Sequence, residues 1–190
     1  MKRIYYYLGG GAILLWLLTR KAKAVIPCPS PDVMQWLDLA EKMSRKNQNV
    51  FQKPVTAEIL AIIHDQSQGN PTQIYYQGGW KPRYGLCGVP LHDWARAFNA
   101  KLTPEKLMEP ENNIDLMLKT ITYTDVQILN AYKKSGVYGP YPLPGLSANA
   151  YSAYVNSPTM VISDANDPNI HNDETINRYL GLLSCYRQVI

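Results

Sequence analysis

The 190-residue chain has three cysteines, Cys28, Cys87 and Cys185, with no Cys-x-x-Cys pair and no histidine at metal-ligand spacing from them. This excludes a zinc site and a disulfide-dense scaffold. One bridge in an oxidising compartment remains open, and the sequence does not indicate which pair would form it. Phenylalanine is scarce, at 2 residues against 14 Tyr and 4 Trp. The aromatic content therefore has polar tips, which suits wet clefts, interfaces and sugar faces as well as cores. Strong net charge is lacking too. The formal charge is +4, and Lys2, Arg3, Arg20, Lys21 and Lys23 supply five of the 19 basic residues. Without them the body is nearly neutral, which excludes a nucleic-acid binder. No internal repeat and no convincing strand pattern is found, so the expected class is all-α.

What is present begins with an uncharged run of fifteen residues, Ile4 to Leu18, bracketed by basic residues. As a helix it covers about 22 Å, short of a hydrocarbon core of about 30 Å. Flanking Lys and Arg, with Tyr5 to Tyr7 and Trp16 as interfacial anchors, make up the difference. Residues 1–24 are read as an N-terminal hydrophobic helix that anchors the chain in a membrane or a larger protein assembly. The competing reading is a signal peptide cut after Ala22-Lys23-Ala24, against which Arg20, Lys21 and Lys23 crowd the cleavage region. Residues 25–31 form a Pro-rich linker, and 32–190 form the helical body.

Within the body, Ser30 and Pro31 open a helix whose inner face carries Val33, Met34, Trp36, Leu37, Ala40 and Met43. A second helix starts near Thr56 and is apolar enough, through Ile59, Leu60, Ile62 and Ile63, to be central. Pro71 to Pro90 reads as a long loop rich in Tyr and Trp. Short helices are expected at Leu91–Asn99, Glu111–Lys119, Thr124–Tyr132 (ended by Gly136) and Ser147–Asn156. The closing helix, from Asp173, has Ile176, Leu180 and Leu183 inward. Asp164 to Asn169 lacks the central Gly and terminal Glu of a calcium loop, so it reads as Asx turns with Asp173 as the next N-cap. No metal or cofactor is expected.

The central helix ends in His64-Asp65-Gln66-Ser67-Gln68-Gly69-Asn70-Pro71. Polar side chains at the mouth of a core helix need partners, water or a ligand. Three further pieces follow in order: Tyr84-Gly85-Leu86-Cys87-Gly88, Pro110-Glu111-Asn112-Asn113-Ile114, and Ala131-Tyr132 with Gly136. Together, over roughly residues 50 to 156, they resemble the lytic transglycosylases and goose-type lysozymes. The resemblance implies a lysozyme-like helical fold and peptidoglycan glycan strands as partner. It places Gln66 at the catalytic glutamate's position, with Tyr132 in the catalytic group. Ser67, Tyr84, Gly85, Leu86 and Gly88 line the substrate side.

The departures are specific. In those enzymes a carboxylic acid protonates the glycosidic oxygen and then takes a proton back. Gln66 can do neither, and loss of a general acid costs about 10²- to 10⁴-fold in rate. Cys87 and Gly88 stand where the family has Met and Gln, and Lys133 where it has Asn. Asp65 is the candidate substitute, although neighbouring helical residues point about 100° apart. His64 is a poorer one; Asp93, Glu109 and Glu111 read as solvated surface. The expected function is a catalytically degenerate, peptidoglycan-engaging domain facing the periplasm or cell wall, or carried by a virion. The alternatives are an active muramidase using Asp65 and a protein that keeps the fold for packing alone.

Overall fold

The computed structural model describes residues 27–76, 82–91, 101–136, 146–156, 162 and 164–190. The Ile4–Leu18 segment, the expected 91–99 helix beyond Leu91, and the Pro-rich stretch after Gly139 lie outside them. The described chain opens with α1 (Pro31–Met34), α2 (Leu37–Lys46) and the single turn α3 (Gln48–Phe51). Pro at the first helical position starts α1. The single helix expected here is broken at Gln35 and Trp36; the Trp36 backbone N–H turns to the Val33 carbonyl at 3.0 Å, and its indole N–H donates to the Gly69 carbonyl at 2.9 Å.

The next helix, α4 (Thr56–Ser67), is central, as its composition requires. Ile59, Leu60, Ile62 and Ile63 are all 0% exposed. Burying four such side chains contributes about 6–12 kcal/mol, comparable to the net stability of a domain. The helix packs against α1 and α2 on one side and the final helix on the other.

Pro71 to Pro90 is not an unbroken loop. It holds β1 (Ile74–Tyr76), β2 (Pro82–Tyr84) and β3 (Val89–Pro90), an antiparallel sheet in the order β1-β2-β3. Tyr75 pairs with Arg83, and Arg83 with Pro90. The expected strand-free class is therefore corrected to mostly helical with a small sheet. Strands of two or three residues are too short for alternation to show.

After α5 (Pro104–Met108), capped by Thr103, comes α6 (Pro110–Ser135). The two helices expected between Glu111 and Tyr132 are one continuous helix. Thr124 is buried inside it and donates from Oγ1 to the Thr120 carbonyl, so it caps nothing. Gly136, at φ 71°, ends it as expected. Then follow α7 (Ala148–Asn156) and α8 (Asp173–Arg187). Asn172, rather than Asp173, caps α8 by accepting from the Thr175 N–H at 2.9 Å. The inward face of α8 is also shifted: Tyr179, Leu183 and Tyr186 are buried, whereas Leu180 is 46% exposed. Asp164 and Asp167 form the expected Asx turns, accepting from the Asn166 and Asn169 N–H groups at 2.9 and 2.8 Å.

Among the described residues no helix is long and apolar enough to cross a membrane. Cys28 and Cys185 form a disulfide across 157 residues, and Cys87 is free and buried. The bridge ties the start of the body to the last turn of α8. Closing so long a loop removes about 2–5 kcal/mol from the unfolded chain's entropy. Reduction, or Cys28→Ser with Cys185→Ser, is expected to lower Tm by about 5–15 °C in calorimetry. An unchanged Tm would show that the bridge adds nothing to stability.

Candidate functional site

The last turn of α4 delivers a cluster closed by α7, α8 and the sheet. Asp65 carries a carboxylate whose side chain is only 4% exposed. Removing a carboxylate from water costs several kcal/mol unless donors replace the hydration. Here they do. Arg178 of α8 binds it bidentately, Nε to Oδ1 and Nη2 to Oδ2, the second at 3.2 Å. The Tyr151 hydroxyl of α7 and the Gln66 amide both donate to Oδ2, the amide at 3.0 Å.

Gln66 is 8% exposed. Its Nε2 gives a second bond to the Tyr151 hydroxyl at 2.6 Å, and its Oε1 accepts from the Tyr75 hydroxyl of β1. Both amide hydrogens are thus used, and no dissociable proton is present. Asp65 and Gln66 converge on Tyr151, which corrects the expectation that Asp65 faces away. The 100° offset holds for the Cβ directions, but these side chains are long enough to bend back to one hydroxyl.

The electrostatics follow from burial. Tyr151 is held well above the ordinary phenol range, first by burial and then by the Asp65 charge. Tyr75 is raised too, by burial, with Arg83 opposing. Burial works against the Arg178 charge, but the bonds and charge of Asp65 outweigh it and raise its pKa. Every partner of Asp65 presents a donor, the arrangement that suits a carboxylate anion.

Three of the four motifs meet here. Gly88 (φ 61°) packs so close to Tyr75 and Gln66 that a Cβ would sit 2.7 Å from Gln66 Oε1. Asn113, from the Pro110–Ile114 motif, accepts from the Cys87 N–H at 2.7 Å and donates to the carbonyls of Tyr84 and Leu107 at 2.7 and 2.6 Å. Gly85 (φ 72°) leaves the space that Asn113 fills. Arg83 adds a second clamp, donating to the Gly88, Tyr154 and Val155 carbonyls. Leu86 is fully buried and Tyr84 nearly so, which places both in the core beneath the loop. Ser67 caps its own helix, donating to Ile63 and accepting from the Gly69 N–H.

Tyr132 is placed with His171, whose Nε2 lies 3.1 Å from its hydroxyl and 2.9 Å from the Ala165 carbonyl. The tyrosines that touch Gln66 are Tyr75 and Tyr151. His64 lies beside Tyr186, with Nδ1 at 2.8 Å from the hydroxyl. Glu109 is exposed, Glu111 forms a surface pair with Lys42 at 2.6 Å, and Asp93 lies outside the described residues. Tyr75, Tyr151 and Arg178 were not singled out from sequence. Tyr151 lies in a Tyr-rich helix, the one available pointer to it, and Arg178 has no local signal. Among the described residues no group of three His, Cys, Asp or Glu could hold a metal. No protein-family model matches the chain, and no curated protein matches it.

Two expectations follow. Arg178→Ala should cost about 2–4 kcal/mol, because it strips the charged partner from a buried carboxylate. Urea denaturation checks this, and an unmoved midpoint would mean that Arg178 contributes nothing. The second concerns His64, whose pKa burial lowers, with Asp65 partly opposing. Below about pH 6.5 the unfolded chain binds a proton that the folded chain resists, so stability falls as pH drops through that window. His64→Gln should lose less stability than the parent between pH 7.5 and 5.5, measured by urea midpoints.

Proposed function

We propose that the chain is a lysozyme-like, lytic-transglycosylase-like domain that engages peptidoglycan glycan strands without cleaving them, held at a membrane or in a larger assembly by its N-terminal segment. The observation that carries this reading is the bonding of Gln66. The residue at the catalytic glutamate's place is an amide, neutral at every working pH, with both N–H donors and one acceptor position committed to neighbours. Gly88 of the second motif packs against it, and Asn113 of the third braces that loop, which fits an inherited glycan-processing centre whose proton donor has been replaced. The Cys28–Cys185 bridge fits an oxidising location such as a periplasm or cell surface. For Asp65 to act as the acid it would have to leave Arg178 and Tyr151, which disfavours the active-muramidase reading.

Sedimentation of the full chain with insoluble peptidoglycan, combined with muropeptide release, tests the proposal. Binding without release is expected. Gln66→Glu should then raise release by about 10²-fold or more, because the new carboxyl would face Asp65 and the like charge would keep it protonated toward neutral pH. Release by the parent chain that disappears on Asp65→Asn would establish the enzyme reading instead. Absence of binding would leave a domain that keeps the fold for packing alone.

A further inference from the structure

The end of the body near the disulfide carries exposed apolar tips among cations. Val189 and Ile190, just past α8, are 46% and 52% exposed. The Arg187 and Lys53 side chains are 54% and 56% exposed. Lys53, Arg187 and Ile190 share one open depression of about 330 Å³. At its floor lies Glu58, 5% exposed, which takes Arg187 at 2.7 Å and Lys53 at 3.8 Å. One buried negative charge therefore sits beneath two outward cations. Glu41, also on the rim, pairs with Arg45 at 3.2 Å. Apolar tips beside Lys and Arg, whose stems lie along apolar surface while the heads stay wet, match an anionic lipid surface.

The covalent tether limits how far that surface lies from the N-terminal run. Cys28 is bonded to Cys185, two residues before Arg187, with the Cα atoms 6.2 Å apart. The apolar run ends at Leu18, ten residues before Cys28, a span of at most about 35 Å. Wherever the run sits, this end of the body lies within that span of it. We propose that Val189 and Ile190, with Lys53 and Arg187, form a bilayer-contact surface that seats the domain on anionic headgroups beside its own N-terminal segment. The proposal rests on reading Ile4–Leu18 as a membrane anchor.

The test uses the full chain reconstituted into phosphatidylcholine vesicles with and without phosphatidylglycerol, with hydrogen exchange followed by mass spectrometry. Exchange at residues 187–190 and 50–54 should slow several-fold on the phosphatidylglycerol vesicles, and less on phosphatidylcholine alone or in high salt. Val189→Ser with Ile190→Ser should abolish the slowing while peptides of α4 exchange as before. Lys53→Gln, which removes only the longer contact to Glu58, should reduce its dependence on anionic lipid. An embedded chain whose exchange at these residues matches that in detergent overturns the proposal and leaves the anchor standing. A chain that carbonate washing strips from the vesicles overturns the anchor reading and this surface together.

Discussion

The geometry around α4 depends on one desolvated charge. Asp65 has almost no contact with water, so its carboxylate is tolerable only while Arg178, Tyr151 and Gln66 all donate to it. Those donors come from three elements, and meeting their distances fixes α7 and α8 against the last turn of α4. The same requirement orients the Gln66 amide. Tyr151 spends its single proton on Asp65, so its oxygen can only accept, and only the NH₂ group of Gln66 can supply that bond. The carbonyl then faces Tyr75. The network admits one arrangement of its hydrogens, which makes it rigid as well as satisfied.

The same helix carries a second buried carboxylate two turns earlier. Glu58 is bound by Arg187, as Asp65 is bound by Arg178, and both arginines belong to α8. His64 meets Tyr186 between them, and the disulfide closes the corner. The closing helix is therefore attached along its length by charge and along its buried face by Tyr179 and Leu183. These contacts join residues separated by 113 to 157 positions. Such distance is not prohibitive, because loop-closure entropy grows only logarithmically with length.

That separation also marks what the sequence could reveal. The central position of α4 was legible because its apolar residues leave no polar face, and the end of α6 because Gly136 supplies a left-handed cap. The three strands were not, since two or three residues carry no readable period. Thr124 makes α6 look divided because threonine is a good N-cap, whereas here it is buried and donates to the carbonyl four residues back in an unbroken helix. Aliphatic residues alone give the wrong phase for α8, because Tyr179 and Tyr186 hold the core positions. Position 66 was found through local motif order. The partners of this turn are not legible, because Tyr151 reaches Gln66 from 85 residues away and Arg178 reaches Asp65 from 113, with nothing local to announce either contact.

The amide also resolves an electrostatic conflict that an acid would create. Asp65 and Arg178 together are neutral, and a second ionised carboxylate at position 66 would place a surplus negative charge beside Asp65 in a buried setting. One carboxylate would have to hold a proton or lose its bond to Tyr151. That tension is useful to an enzyme, because it keeps an acid protonated at neutral pH, and it costs stability. With Gln66 the cluster needs no extra proton and leaves the two amide hydrogens and Tyr151 fully used. Where an acid at position 66 would make a strained pair with Asp65, Gln66 makes a hydrogen-bonded link between α4, α7 and β1.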